Sequence, residues 1–190
     1  MRRGGINKEL KMRLRMNFSE ILRIESERIV LAPMGEGERA MLGKLLEDSR
    51  VTKTYMVPVF SSVEERERLV DAFLRLSGDE KRFVRGIFLD GAFVGFINDV
   101  GVEGDGIELG YVVSPDFLGR GICTKALRAA ISALIGIGFG EVLCGAFEEN
   151  GASLRVMEKC SMKRIESEET IEYRGISHRC VYFSYKKQSN

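Results

Sequence analysis

The chain has 190 residues, 44% hydrophobic and 30% charged, with a formal net charge of +1, a composition that fits one soluble domain long enough to bury a sizeable core. Residues 1–16 hold six Lys/Arg against Glu9 alone, a net of +5, which leaves about −4 for the remainder and argues against a nucleic-acid-binding body. A single histidine, His178, and four scattered cysteines exclude a multi-histidine metal site, a histidine-based nucleophile triad and a disulfide framework.

Residues 1–16 lack the apolar core of a signal peptide, and no run approaches the length of a membrane span. The expectation is a basic, disordered extension ahead of an alternative start at Met12 or Met16. A single domain follows over 17–190, in the cytoplasm and without membrane or nucleic-acid partners; a homodimer stays open. Leu22 to Leu31 alternates as a first strand closed by Pro33, and Glu36 to Leu46 has helical spacing at Ala40, Met41, Leu45 and Leu46. Asp48 to Phe60 mixes Thr, Tyr, Met, Val and Pro58, as a segment lining a cleft would. Ser61 to Glu65 then starts a helix that carries Leu69, Val70, Phe73 and Leu74.

Arg82 to Leu89 and Phe93 to Val100 are β-rich runs joined by Asp90-Gly91, a hairpin turn, and Asp105-Gly106 leads into a third strand, Ile107 to Val113. Ser114-Pro115-Asp116 ends that strand. Leu118, Gly119, Arg120, Gly121, Ile122, Cys123 and Thr124 then open a helix with Leu127, Ala130, Ile131 and Leu134 on one face. Such a loop exposes backbone N–H groups at the positive end of a helix dipole and lets an anion approach closely. It lacks the Gly-Lys-Ser/Thr ending of a P-loop and is too short for a dinucleotide fingerprint; two glycines alone serve a bare strand-to-helix turn equally well. Gly138 and Gly140 break the chain before a strand at Glu141 to Phe147, which makes a parallel βαβ unit. Asn150 to Ser153 starts a short helix reaching Cys160, and strands at Lys163 to Tyr173 and His178 to Lys186 meet at Arg174-Gly175. Cys123, Cys144, Cys160 and Cys180 sit in apolar or helical contexts and read as reduced packing residues; His178 reads as structural.

Three stretches in register carry a resemblance: Glu108-Leu-Gly110-Tyr111, Leu118 to Thr124, and Asn150-Gly-Ala-Ser153 through Met162. Together they resemble the GNAT family of acetyl-CoA-dependent N-acetyltransferases, in the branch of the ribosomal-protein N-terminal acetyltransferases, over roughly Leu22 to Lys186. The resemblance implies an α/β (α+β) fold. Its central sheet is mixed and mostly antiparallel, of about seven strands, with helices on both faces and a splay between the fourth and fifth strands. It implies acetyl-CoA in that splay, its pyrophosphate on the backbone of Leu118 to Thr124 and its pantetheine arm along Tyr111, Val112 and Val113, hydrogen-bonded by Asn150. Asn150 is also a natural helix N-cap.

The chain departs from the family at three places. Asp116 stands where the fuller loop pattern has Gln or Arg, Met157 where many relatives carry a Tyr that protonates the leaving thiolate, and Ser161-Met162 where Gly-Phe is usual. Ser153 is the substitute acid the branch offers, and as a first-turn helix residue it is equally well explained. Glu108 is the candidate base: by strand parity it shares a face with Gly110, which leaves room for a substrate, although a solvated strand charge fits the same residue. A free α-amine, of pKa about 7.7 to 8.0, is far closer to its nucleophilic form at neutral pH than a lysine at about 10.4, which favours a protein or peptide N-terminus as acceptor. The alternatives are a small-molecule amine acetyltransferase, acting on an antibiotic or polyamine, and a non-catalytic acyl-CoA-binding domain. No metal is expected.

Overall fold

Residues 17–187 are described by the computed structural model; the expectation for residues 1–16 lies outside them. The alternating stretch at Leu22 to Leu31 is two strands, β1 (Ile24–Ser26) and β2 (Ile29–Ala32), paired antiparallel with Ser26 opposite Ile29. Between them Glu27 adopts a φ of 52°, a conformation that costs a non-glycine residue about 1–2 kcal/mol. No glycine marks this turn, so the sheet has eight strands where pattern alone counts seven. A short 3-10 turn at Glu36–Glu38 precedes α1 (Arg39–Glu47), and α2 (Ser49–Thr52) and α3 (Val63–Ser77) follow. The Ser62 hydroxyl accepts from the Glu65 N–H at 3.3 Å and the Glu65 carboxylate from the Ser61 N–H at 2.7 Å, which fixes the start of α3 where its sequence predicts it.

Next come β3 (Val84–Leu89), β4 (Ala92–Glu103) and β5 (Gly106–Val113) as an antiparallel meander. Asp90 and Gly91 both have positive φ, 51° and 84°, as the two-residue primed turn requires. The second turn is centred on Gly104 and Asp105, one residue earlier than Asp105-Gly106, because Gly104 supplies the left-handed conformation with φ of 57°. After α4 (Ile122–Gly136) the chain continues through β6 (Glu141–Phe147), α5 (Gly151–Lys159), β7 (Lys163–Tyr173) and β8 (Ile176–Lys186). The sheet order is β1-β2-β3-β4-β5-β6-β8-β7, with β5 and β6 the parallel pair.

Both faces of the sheet are covered. On one, α4 buries Ala126, Leu127, Ala130, Ile131 and Leu134 against Ile107, Leu109 and Val142; each fully buried leucine contributes about 1.5–3 kcal/mol. On the other, α1 and α3 bury Leu42, Leu45, Leu46 and Val70 against Val84, Phe96 and Val112. Alternation along β5 thus sends Ile107, Leu109 and Val113 to the α4 side and Val112 to the other, and Glu108 and Gly110 share the face of Val112.

Behind α5, Ser161 takes a φ of 61° while Met162 folds back into the core. Glycine adopts this conformation without a Cβ penalty. Ser161→Gly is therefore expected to stabilise the protein by about 1 kcal/mol, net of the freedom glycine adds to the unfolded chain, or roughly 2–4 °C in a thermal melt. A lower melting temperature would show that the serine side chain supports the turn.

Candidate active site

β5 and β6 are hydrogen-bonded neighbours only at their first residues, where Gly106, Ile107 and Glu108 pair with Glu141, Val142 and Leu143. Beyond them β5 stays with β4 through Val113 and β6 stays with β8 through Phe147, so the two diverge. A cavity of about 710 Å³ opens between them. It begins beside a β-bulge: β4 carries Val100 as an extra residue between Asp99, paired with Leu109, and Gly101, paired with Glu108. A bulge sharpens local twist, and since the extra residue lies on β4, the alternation of β5 stays in phase. Glu108 is consequently the last paired residue before the opening, and it lines the cavity with Gly110. Burial, and secondarily the Glu169 carboxylate, raises its pKa above the usual carboxylate range.

At the α4 end, Gly119 and Gly121 have φ of 76° and 73°, and a Cβ at either would meet nothing within 4 Å. Gly121 is the N-cap of α4 and brings no side-chain acceptor to the first turn; the Lys125 N–H bonds back to the Gly121 carbonyl at 3.0 Å. The loop therefore offers open, positively polarised backbone to an anion. Burial pushes the Cys123 thiol up to about 12, so no thiolate opposes that charge. Leu118, Gly119, Gly121, Ile122, Cys123 and Thr124 all face the cavity. Arg120 does not: its guanidinium lies 5.2 Å from the Phe117 ring centroid and 3.4 Å from the Asp116 carbonyl.

Arg50, on α2, reaches this loop instead, bonding Asp116 at 3.3 Å while lining the cavity. The acid at position 116 draws in a cation from an element about 65 residues away, a pairing without any local sequence signal. Arg155 and Lys159 of α5 line the same end.

Asn150 caps α5. Its Oδ1 accepts from the Ser153 N–H at 3.2 Å and its Nδ2 donates to Ser153 Oγ at 3.1 Å. An Oγ that accepts this bond keeps its own O–H free to donate. Tyr111 runs from β5 to the same turn, its hydroxyl donating to the Ser153 carbonyl at 3.3 Å. Met157 is fully buried and offers no proton. The cavity thus brings together Glu108, Tyr111, Val112, Val113, Asn150, Ser153 and the loop residues named above, with Arg120 outside its wall.

The opposite mouth is built from parts that motif reading does not find. Thr54, Tyr55 and Met56 come from the segment expected to line a cleft. That segment is pinned by Tyr173 of β7, whose hydroxyl donates to the Thr52 carbonyl at 2.7 Å and accepts from the Val57 N–H at 3.2 Å. Val100, Glu169 and Tyr182 complete the mouth. His178 stacks on Phe147, with centroids 4.1 Å apart, and pairs with Glu149, a packing role. The four cysteines are free thiols. Among the described residues no group of three or more His, Cys, Asp or Glu is placed to hold a metal, and no helix is long and apolar enough to cross a membrane.

A model of the GNAT acetyltransferase domain matches residues 28–163. The chain belongs to the GNAT acetyltransferase family. It is accordingly an acetyl-CoA-dependent acetyltransferase, and the parallel β5–β6 pair is the family's splay. Solved structures agree in fold. A GNAT acetyltransferase from Bacillus anthracis superposes with a TM-score of 0.74 at 21% identity, over 86% of this chain and 98% of its own. An acetyltransferase from Salmonella typhimurium that modifies the N-terminal serine of ribosomal protein L7/L12 gives 0.74 at 18%, over 87% and 99%. The microcin C7 self-immunity acetyltransferase MccE, in complex with acetyl-CoA and AMP, gives 0.72 at 16%, over 85% and 94%. No curated protein matches the chain at a significant level. The residues present fit the GNAT cosubstrate: the uncapped start of α4 and the side-chain-free space above Gly119 and Gly121 suit a pyrophosphate.

Proposed function

We propose that this protein acetylates the N-terminal amine of a protein or peptide, with Glu108 as general base and Ser153 as proton donor to the departing sulfur. The observation that carries this reading is the position of Glu108, a half-buried carboxylate at the last paired residue before the splay, facing the cavity. Bound acetyl-CoA supplies the activated acetyl group. In this reading the backbone of Leu118 to Thr124 holds the pyrophosphate, and the free edge of β5 at Tyr111, Val112 and Val113, with Asn150, aligns the pantetheine arm. Glu108 takes the proton from the attacking nitrogen. Its raised pKa brings it closer to the value an efficient base has at neutral pH. Ser153 Oγ, oriented by Asn150 Nδ2, passes its proton to the departing sulfur while it takes one up from solvent, so that no alkoxide is left.

An α-amine is the easier acceptor because a larger fraction is unprotonated at pH 7, and one neighbour of the same fold modifies an N-terminal serine. The test is CoA release from acetyl-CoA with a panel of N-terminally free peptides, aminoglycosides and polyamines. The peptides should show the highest kcat/KM. Preference for aminoglycosides or polyamines would overturn the acceptor, and acetyl-CoA binding with no turnover on any amine would overturn catalysis itself.

Ser153→Ala is expected to lower kcat about tenfold with acetyl-CoA affinity unchanged. The loss is at or below the low end for acid–base groups, since a thiol of pKa about 8.5 is already a fair leaving group. Unchanged kcat with chemistry rate-limiting would confine Ser153 to the helix cap.

A further inference from the structure

The cavity is stripped of side chains at two positions, one on each side of the splay. Gly110 sits on β5, where a Cβ would reach 3.4 Å from Tyr55, Asn98 and Val100. Gly145 sits on β6, where a Cβ would lie 2.8 Å from Cε1 of Tyr182. Tyr182, the register partner of Gly145 on β8, therefore lies across the β6 backbone, as only a glycine there allows. From that position its hydroxyl bonds the Glu169 carboxylate of β7. Glu169 is thus held over the sheet toward Glu108, close enough for each to line one cavity and for Glu169 to act on the titration of Glu108. Among the described residues neither carboxylate has a cationic partner. The cavity's cations, Arg50, Arg155 and Lys159, belong to α2 and α5, and Arg50 is tied to Asp48 and Asp116. Above the carboxylates the rim is apolar: Met56 and Val100 are 53% and 57% exposed.

We propose that Glu169, positioned by Tyr182 across Gly145, is the specificity-determining residue of the acceptor site: it admits cationic amines beside apolar groups and rejects amines that carry a neighbouring carboxylate. The acceptors selected are peptide N-termini and other amines without an adjacent acid, and free amino acids are excluded. This rests on the reading that the Glu108 side of the cavity receives the acceptor. Rejection arises because an α-carboxylate would enter a half-buried site between two like charges, where the repulsion is poorly screened. Selectivity then comes from a repulsive element and needs no extra contact to the preferred acceptor.

The test compares leucinamide with leucine, which differ only in the carboxylate, as ligands of the CoA-saturated protein by calorimetry. Binding in this complex does not require turnover. Leucinamide should bind about tenfold or more tighter. Glu169→Gln should narrow that ratio several-fold, the remainder being set by Glu108, and Tyr182→Phe should narrow it less; intrinsic differences between the probes cancel when variant is divided by parent. A second readout is the acid limb of kcat/KM. The ionisable groups around Glu108 are Glu169 of β7, Tyr182 and Cys180 of β8 and Cys144 of β6. Of these Glu169 is the one that raises its pKa, so Glu169→Gln should move the limb to lower pH, which a purely structural role would not do. Equal binding of the two probes, no binding of either, or a ratio and limb unmoved in Glu169→Gln would overturn the proposal. Discriminating binding without acetyl transfer would instead overturn the catalytic reading and leave this one standing.

Discussion

Gly121→Glu is expected to abolish the stabilisation that acetyl-CoA confers on the protein. At a hundredfold excess over its Kd a ligand adds about 2.7 kcal/mol, which for a domain of this size is roughly 5–10 °C in a thermal melt. The variant acts through two causes that a control separates. The φ of 73° at Gly121 strains any L side chain, and a carboxylate there would enter the space above the uncapped first turn of α4, where the phosphates are proposed to sit. Gly121→Ala carries the strain without the charge. Both variants should melt below the parent when unliganded, yet Gly121→Ala should keep part of the acetyl-CoA shift and Gly121→Glu none. A full shift in a folded Gly121→Glu protein would place the phosphates elsewhere.

Glu108→Gln should lower kcat/KM by about 10²-fold or more, the range typical of losing a general base, with acetyl-CoA affinity intact. The pH dependence supplies the sign. In the parent, activity should fall as pH drops through the folded pKa of Glu108, which lies above the usual carboxylate value because the group is buried and faces Glu169. In the variant that limb disappears, and activity should recover partly as pH rises toward the pKa of the acceptor amine, where solution supplies the free base. Stability should move the other way. A carboxyl whose folded pKa is raised contributes stability that is present below its unfolded pKa and is lost as pH rises through the folded value. At neutral pH the ionised Glu108 therefore costs stability, and Glu108→Gln should melt higher than the parent. A variant both more stable and far less active identifies a residue kept for chemistry. Wild-type turnover at neutral pH, with chemistry rate-limiting, would leave deprotonation to solvent.

What could be read along the chain were features that depend on neighbours a few residues apart. The hairpin at Asp90-Gly91 needs two positive φ angles, the capped start of α3 needs Ser62 beside Glu65, and the open start of α4 needs Gly119 and Gly121 at close spacing. Each is a local steric or hydrogen-bond requirement that constrains residue type, so each leaves a mark in the sequence. The turn at Glu27 left none, since a glutamate pays locally for a conformation that the pairing of β1 with β2 stabilises.

Tertiary structure alone settled the width and the charge of the cavity. The bulge at Val100 is defined by which residues of β4 and β5 face each other, a matter of register between strands and not of composition. Arg50 meets Asp116, and Glu169 comes to face Glu108, through a sheet order in which β8 lies between β6 and β7. Long-range electrostatic partners depend on distance in space, which sequence separation does not encode. The glycine loop before α4 and the strand bearing Glu108 were thus legible from local chemistry, and the family from three motifs in register. The acidic, apolar-rimmed mouth proposed to choose the acceptor exists only once β5 and β6 part and strands distant in sequence close around the gap.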